Sequence, residues 1–314
     1  MWGIIFLQIV SYLSVLIFVI VLIAKAGRYA TMPIHLRWEL YPVASETERP
    51  YGGSYFENLD WRAKPRQKSL LGELKFMGKE LFFFTLYYRL KRHYWYFVYP
   101  FHIGAFLLIG WLVLLLAGAL TSLAGISVSA QATNVWGGIV YYLTLIVGVA
   151  GFIIAACGTI GLLMKRSMDE DLKLYTTFVD YFNLSFILLI LFSGLYAWYF
   201  FDPAFAVVRE FMQSLITFSP VTSMNPATYI NVLLICLFLI YMPFTRMMHY
   251  IAKYFTYHKV RWDDEPNLSG GAIEKKVKEA LNQPVSWLAP HIQSGKKWSE
   301  VTSQVKDTSE TEVQ

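Results

Sequence analysis

The sequence predicts an all-α membrane protein with five transmembrane helices. Of its 314 residues, 56% are hydrophobic and only 16% carry a charge, a balance outside the range of soluble domains. The mean hydropathy of +0.42 agrees with this assignment. Five stretches almost free of charge supply most of the apolar residues. Each stretch is long enough to cross a bilayer as a helix, which takes about 20 residues.

The first predicted span covers residues 1–24. Residues 2–24 form an uncharged run that is longer than the hydrophobic region of a signal peptide, and no basic segment precedes it. The tripeptide Ala24-Lys25-Ala26 has the small residues of a cleavage site. The length of the run nevertheless favours a spanning helix that is retained in the protein.

Residues 25–96 form a long polar and basic loop before the second span. Within this loop, residues 69–92 place apolar side chains along one helical stripe, with lysines and arginines away from it. This pattern predicts an amphipathic helix at the membrane interface. The alternative is a soluble helix docked on a partner. Residues 32–42 and 51–53 contain the proline and glycine of irregular structure.

Residues 97–255 hold a predicted core of four helices. Their spans are expected at 97–123, 135–164, 178–201 and 227–251. The remaining segment, 256–314, is polar and predicts a cytoplasmic tail with one short amphipathic stretch and a disordered end.

The distribution of basic residues predicts the orientation of the chain. The loop before the second span is rich in lysine and arginine, and the short loop after the third span carries Lys165, Arg166 and Lys173. The loops on the opposite side carry Arg209 alone. Under the positive-inside rule, the N-terminus is then outside and the C-terminus is cytoplasmic. We therefore expect a multi-pass protein of the cytoplasmic (inner) membrane, in contact with membrane lipid.

Several classes of protein fit the sequence poorly. The two cysteines, Cys157 and Cys236, lie inside apolar runs and lack the spacing of a zinc or iron–sulfur site. The formal charge of +5 is concentrated in particular loops, which argues against nucleic acid as a partner. The absence of an internal repeat weakens a transporter built from inverted halves.

Two of the six histidines, His102 and His249, lie within predicted spans. His102 is five residues beyond Phe97 and His249 is six before Phe255, so a rise of about 1.5 Å per residue gives both similar depths. Two neutral imidazoles at equal depth on antiparallel helices suit the axial positions of one haem iron. The alternative is that each imidazole hydrogen-bonds to a neighbouring helix. Arg246, one turn before His249, suits a haem propionate, or is an ordinary basic flank of the span.

Four motifs stand in order within residues 95–260. They are Pro100–Gly104 (PFHIG), Leu162–Arg166 (LLMKR), Thr176–Asp180 (TTFVD) and Met242–His249 (MPFTRMMH). In order and spacing they resemble the gamma subunit of respiratory nitrate reductase, a five-helix cytochrome b. The first loop and the tail look more like relatives in sulfate-reducing and methanogenic organisms, which partner heterodisulfide-reductase-like iron–sulfur proteins.

The resemblance implies an electron-transfer subunit of a quinone-linked oxidoreductase complex. It implies haem b as cofactor, menaquinone as substrate, and a cytoplasmic iron–sulfur subunit of a heterodisulfide-reductase-like or nitrate-reductase-like complex as partner. Asp180, His93 and Lys91 become candidates for a quinone headgroup site or a proton relay. Their ordinary alternatives are a helix cap for Asp180 and membrane-surface anchors for the other two.

The sequence also departs from the pattern that it resembles. The nitrate reductase subunit holds two haems, and the second pair of histidine positions falls on Leu112 and close to Asn231. Neither residue ligates haem iron as imidazole does. We therefore expect one haem b, near the cytoplasmic face, on His102 and His249. A cofactor-free anchor for a soluble redox enzyme and a small transporter are the competing functions.

Overall fold

The computed structural model describes residues 2–32, 70–221, 223–261, 269–287 and 293–303. His35, His291 and most of the segment expected to be irregular lie outside these residues. The chain divides into two compact units, each described by itself below. The first unit contains Met1–Leu22 and Met77–Met247, and the second contains Ile23–Phe76 and Met248–Gln314.

Five helices among the described residues are long and apolar enough to cross a membrane, which confirms the predicted number of spans. They are α1 (Trp2–Thr31), α4 (Arg92–Leu123), α5 (Val135–Met168), α7 (Phe178–Phe200) and the segment Pro226–Phe244, in which α9 (Pro226–Tyr241) continues into a 3-10 turn. The shorter helices are α2 (Leu70–Phe83), α3 (Thr85–Leu90), α6 (Glu170–Tyr175), α8 (Ala206–Thr217), α10 (His249–Arg261), α11 (Ala272–Leu281) and α12 (Trp298–Ser303). No β-strand occurs in the described ranges.

Four of the spanning helices pack in a row in the first unit. Helix α4 packs on α5, α5 on α7, and α7 on α9, while α8 lies against α4. The row has two ends, which we call the basic end and the α8 end. The basic end holds Arg92, Lys165 and Arg166, and the α8 end holds α8 and residues 124–134. Helices α4 and α9 are the outer members of this row, which curves so that both line one cavity at the α8 end.

The closest approach in the row is between α4 and α5. A Cβ atom added to Gly104 would lie 2.3 Å from the backbone nitrogen of Ala155, and one added to Gly158 would lie 2.3 Å from that of Phe101. Only glycine permits such contact between backbones. The contact fixes the rotation of α4, with Phe101 and Gly104 toward α5.

Helix α1 docks at the α8 end through side-chain hydrogen bonds. The amide of Gln8 donates to the carbonyl and hydroxyl oxygens of Ser214 at 3.2 and 3.0 Å, and the hydroxyl of Tyr12 donates to the carbonyl of Leu215 at 2.7 Å. Polar side chains within an apolar helix have no water as a hydrogen-bond partner, and these bonds take its place.

Arg209 of α8 is the one cation that the sequence places in the loops opposite the basic end, and the fold buries it. Its side chain is 8% exposed, packs against Gly118, and donates from Nη2 to the carbonyl of Val128 at 3.1 Å. Burial lowers the pKa of the guanidinium below its usual value. Arg209 therefore ties α8 to α4 and to the loop after it.

The predicted interfacial helix over 69–92 is two helices, α2 and α3, with a break at Phe84. Phe84 has a φ of 50°, in the left-handed region. The carboxylate of Glu80 accepts hydrogen bonds from the hydroxyl of Thr85 and from the backbone N–H of Leu86, the latter at 3.0 Å. These bonds satisfy the first turn of α3 and stabilise its separate start.

The fifth span is shorter than the sequence predicts. An uninterrupted helix was expected over 227–251, but α9 ends at Tyr241 and two 3-10 turns follow, Met242–Phe244 and Arg246–Met248. Pro243 lacks an N–H, and Thr245 is extended, with φ −105° and ψ 175°. Both features end a helix.

The second unit has its own small hydrogen-bonded module after α11, the helix that covers the short amphipathic stretch. Val285 is buried; its N–H donates to the carbonyl of Lys296, and its carbonyl accepts from Gly295, both at 2.8 Å. Nearer the start of this unit, the rings of Tyr29 and Phe255 lie 6.5 Å apart.

Candidate functional site

His102 lies in the first unit, near the basic end of α4. Its Nδ1 is 2.8 Å from the backbone carbonyl of Val98, one turn earlier in the helix. A carbonyl only accepts, so Nδ1 carries the proton and Nε2 carries the lone pair of the ring. This is the usual arrangement of an imidazole that ligates a metal through Nε2. The donor set therefore fits haem iron.

Two aromatic rings lie against the imidazole of His102. The ring of Phe84 is 4.8 Å away, centroid to centroid, at an interplanar angle of 49°, and the ring of Phe101 is 5.0 Å away at 89°. Phe84 reaches this position from the left-handed break between α2 and α3. The sequence gives no signal that Phe84 lies beside His102, because the apolar stripe continues through 69–92 and hides the break at Phe84.

His249 is the first residue of α10 and is exposed. The 3-10 turns before it interrupt the span, so the depth estimate of 1.5 Å per residue no longer applies to it. His102 belongs to the first unit and His249 to the second. Their pairing at one iron stays a prediction.

Arg246 lies in the second 3-10 turn and is exposed. It acts electrostatically on Asp180, as Arg166 does. The carboxylate of Asp180 accepts hydrogen bonds from the backbone N–H and the hydroxyl of Thr177, at 2.9 and 2.8 Å. These are the bonds of a helix cap at the start of α7. A cation and a capped carboxylate thus lie in the same region of the basic end.

Lys91 and His93 are exposed and flank Tyr94 at the start of α4. The ring of His93 is 4.2 Å from that of Tyr94, and Nζ of Lys91 is 6.0 Å from it. The hydroxyl of Tyr94 donates to the carboxylate of Asp169 at 2.5 Å, which holds the pKa of Asp169 below its usual value. Lys165 also contacts Tyr94, at 5.5 Å. The cluster joins α4 to the segment after α5.

Leu112 and Asn231, on or close to which the resemblance places a second histidine pair, lie toward the α8 end. Leu112 is 38% exposed on the surface of α4. Asn231 is buried, and its amide donates to the carbonyl of Ile190 and the hydroxyl of Ser193, both at 2.9 Å. Asn231 therefore holds α9 against α7.

Large aromatic side chains pack between the helices at the same level. The ring of Trp111 lies 5.3 Å from that of Phe152 and 5.1 Å from that of Phe205, both edge-on. All three are buried in one hydrophobic cluster with Leu115 and Leu191. The sequence predicts that these residues belong to the apolar core, but nothing in it indicates that their three rings lie at one level.

In the part of the chain that the structure describes, no group of three or more His, Cys, Asp or Glu side chains is arranged to hold a metal ion.

A comparison with protein families is decisive for the class of this chain. The family model of the nitrate reductase gamma subunit matches residues 90–263, from the start of α4 to just beyond α10. No curated protein matches the chain. The match covers more than half of the sequence and contains His102, Asp180, Arg246 and His249. The chain therefore belongs to the nitrate reductase gamma subunit family, whose members are membrane-embedded b-type cytochrome subunits of redox complexes.

Proposed function

We propose that the chain is the b-type cytochrome subunit of a respiratory redox complex. In this role it passes electrons between the menaquinone pool and a cytoplasmic iron–sulfur partner, through one haem b. The observation that carries the proposal is the imidazole of His102, oriented by the carbonyl of Val98 within a spanning helix of a haem-binding family.

His102 and His249 are the proposed axial ligands, and Arg246 is the proposed partner of a propionate. The haem, when bound, supplies reversible one-electron chemistry. Around it the neighbouring residues have two tasks. Val98 holds the tautomer of His102, while Phe84 and Phe101 keep water from its ring.

The packing of the α8 end supports one haem rather than two. Trp111, Phe152 and Phe205 occupy the space between the helices, and Asn231 is committed to hydrogen bonds with α7. A macrocycle at this level would have to displace all three rings. A well-packed core resists such insertion because the displaced side chains have nowhere to go.

The orientation follows from the charges. We infer that the basic end faces the cytoplasm, the N-terminus is outside, and α2 and α3 lie at the inner membrane interface. The partner would then dock at the basic end. We expect it to be an iron–sulfur subunit of a heterodisulfide-reductase-like or nitrate-reductase-like complex. Asp180, His93 and Lys91 are at this end too, and are the proposed contacts of the quinone headgroup or its proton.

The test is the haem content of the purified protein, measured as the pyridine haemochrome against polypeptide. We expect about one haem per chain, with low-spin spectra of a bis-histidine site. His102→Ala and His249→Ala should each abolish that spectrum. His93→Ala is the matched control, because His93 is an exposed histidine on the same helix as His102 and should leave haem content unchanged.

Two outcomes would contradict the proposal. A colourless wild-type protein would favour the cofactor-free anchor. A content of about two haems per chain would show that the α8 end opens to admit a second macrocycle.

A further inference from the structure

The α8 end of the first unit contains a small cavity between five helices. It is lined by Trp111 of α4, Phe152 of α5, Gly194, Ala197 and Trp198 of α7, Asp202, Phe205 and Val208 before and within α8, and Thr228 and Asn231 of α9. Its walls thus come from both outer members of the row, α4 and α9, and from helices between them.

Two of these lining residues each carry a side-chain polar atom that has no hydrogen-bond partner in the described part of the protein. These atoms are Nε1 of Trp111 and Oγ1 of Thr228. The two side chains are 3% and 1% exposed, respectively, so bulk water does not satisfy them. Buried polar groups in native proteins are paired with protein atoms or ordered water almost without exception. Because Trp111 and Thr228 line the same cavity, one shared partner would satisfy both atoms.

The size of the cavity defines that partner. The space available to the centre of a water-sized sphere is about 10 Å³, roughly the volume that one buried water requires. Larger ligands, such as a quinone headgroup, do not fit between the rings of Trp111, Phe152 and Phe205. A water molecule accepts from an indole N–H and exchanges a hydrogen bond with a hydroxyl, so its chemistry matches both atoms.

We propose that this cavity is a binding site for one permanently bound water molecule, which bridges the indole N–H of Trp111 and the hydroxyl of Thr228. Because Trp111 belongs to α4 and Thr228 to α9, the water joins the two outer helices of the row at the α8 end. The carboxylate of Asp202 and the amide of Asn231 line the same cavity and offer it further partners. The site is independent of the haem proposed at the opposite end.

The first test observes the hydrogen bond of Trp111 by ultraviolet resonance Raman spectroscopy of the full-length protein. The wild-type spectrum minus that of Trp111→Phe isolates this one indole among ten. We expect the N–H-sensitive band to report a hydrogen-bonded indole, and to shift toward the unbonded frequency in Thr228→Val. Thr228→Ser keeps the hydroxyl and should keep the band in place.

The second test is a double-mutant cycle in thermal stability. If one water serves both groups, the loss in Tm of Trp111→Phe with Thr228→Val is smaller than the sum of the two single losses. Thr144→Val is the matched control, since Thr144 is an equally buried threonine whose hydroxyl donates to Val140 in its own helix. Its loss should add to that of Trp111→Phe.

An unbonded indole band in the wild-type protein, or additive losses in Tm for the Trp111 and Thr228 pair, would overturn the proposal. If Trp111→Phe fails to fold, a density map at about 2 Å resolution decides instead. A water peak within hydrogen-bond distance of Nε1 and Oγ1 supports the bridge; direct contact between the two atoms, or an empty cavity, refutes it.

Discussion

The imidazole of His102 owes its orientation to a carbonyl of its own helix. Val98 is one turn earlier in α4, so the hydrogen bond to Nδ1 is available wherever the helix forms. The identity of a histidine at this position is visible in the sequence. The packing of the Phe84 ring against this histidine is not visible in the sequence, because that packing depends on a backbone break that Glu80 stabilises from a neighbouring turn.

Phe84 provides the prediction at this scale. Phe84→Ala removes an apolar ring from the imidazole, so water approaches the proposed haem ligand and stabilises the more highly charged ferric state. We expect the midpoint potential of the haem to fall by on the order of tens of millivolts, with haem content retained. A redox titration followed at the haem absorption bands measures it.

Phe83→Ala is the control, because the side chain of Phe83 is exposed. Equal haem midpoint potentials in the wild type and in Phe84→Ala would show that Phe84 is not part of the proposed site.

At the scale of elements, the spanning helices were predictable and their interruptions were not. Hydropathy places the five spans because the bilayer imposes a length of apolar sequence on every crossing helix. The break after Tyr241 also has a signal, Pro243, which the continuing apolar residues obscured. As a consequence, the position of His249 is set by α10 and the 3-10 turns before it, and its depth does not follow from a rise per residue along one continuous helix.

The contact between α4 and α5 gives a prediction about packing. Gly158→Ala adds a Cβ atom 2.3 Å from the backbone nitrogen of Phe101, so the helices must separate. We expect a loss of about 1–3 kcal/mol in stability and a reduced haem content, since Phe101 precedes His102. Thermal unfolding in detergent and the haemochrome assay report the two effects.

Gly138→Ala is the matched substitution in the same helix, because a Cβ atom at Gly138 meets nothing within 4 Å. If both variants behaved alike, the close approach of the two backbones would not be a determinant of stability.

At the scale of the whole molecule, the asymmetry of charge between the two sides of the spans is the main feature. The cations of the basic end are exposed, like Arg92, or half-buried, like Lys165 and Arg166, whereas Arg209 in the opposite loops is buried and hydrogen-bonded to Val128. Because Arg209 is buried, residues 124–134 and 202–221 have no exposed lysine or arginine. The contrast in accessible charge is therefore sharper than a count along the sequence indicates.

This asymmetry predicts the accessibility of introduced cysteines in a background with both native cysteines replaced by alanine. In sealed, right-side-out membrane vesicles, a membrane-impermeant thiol reagent should label Ser129→Cys and spare Lys173→Cys, because the positive-inside rule retains the basic loop in the cytoplasm. Permeabilised vesicles should label both, which controls for reactivity. The opposite labelling pattern would invert the proposed topology.

The sequence by itself determined the class of protein, the number of spans and the family motifs. Those properties depend on composition and on residue identity along single helices. The tertiary structure decided what occupies the α8 end, where Trp111, Phe152 and Phe205 come from three separate elements and meet only when the helices pack. It also decided that Trp111 and Thr228 face one cavity across the row. These contacts between side chains depend on the rotation of α4 against α5. The close contacts between glycine and backbone set that rotation, and the hydropathy of the sequence carries no information about it.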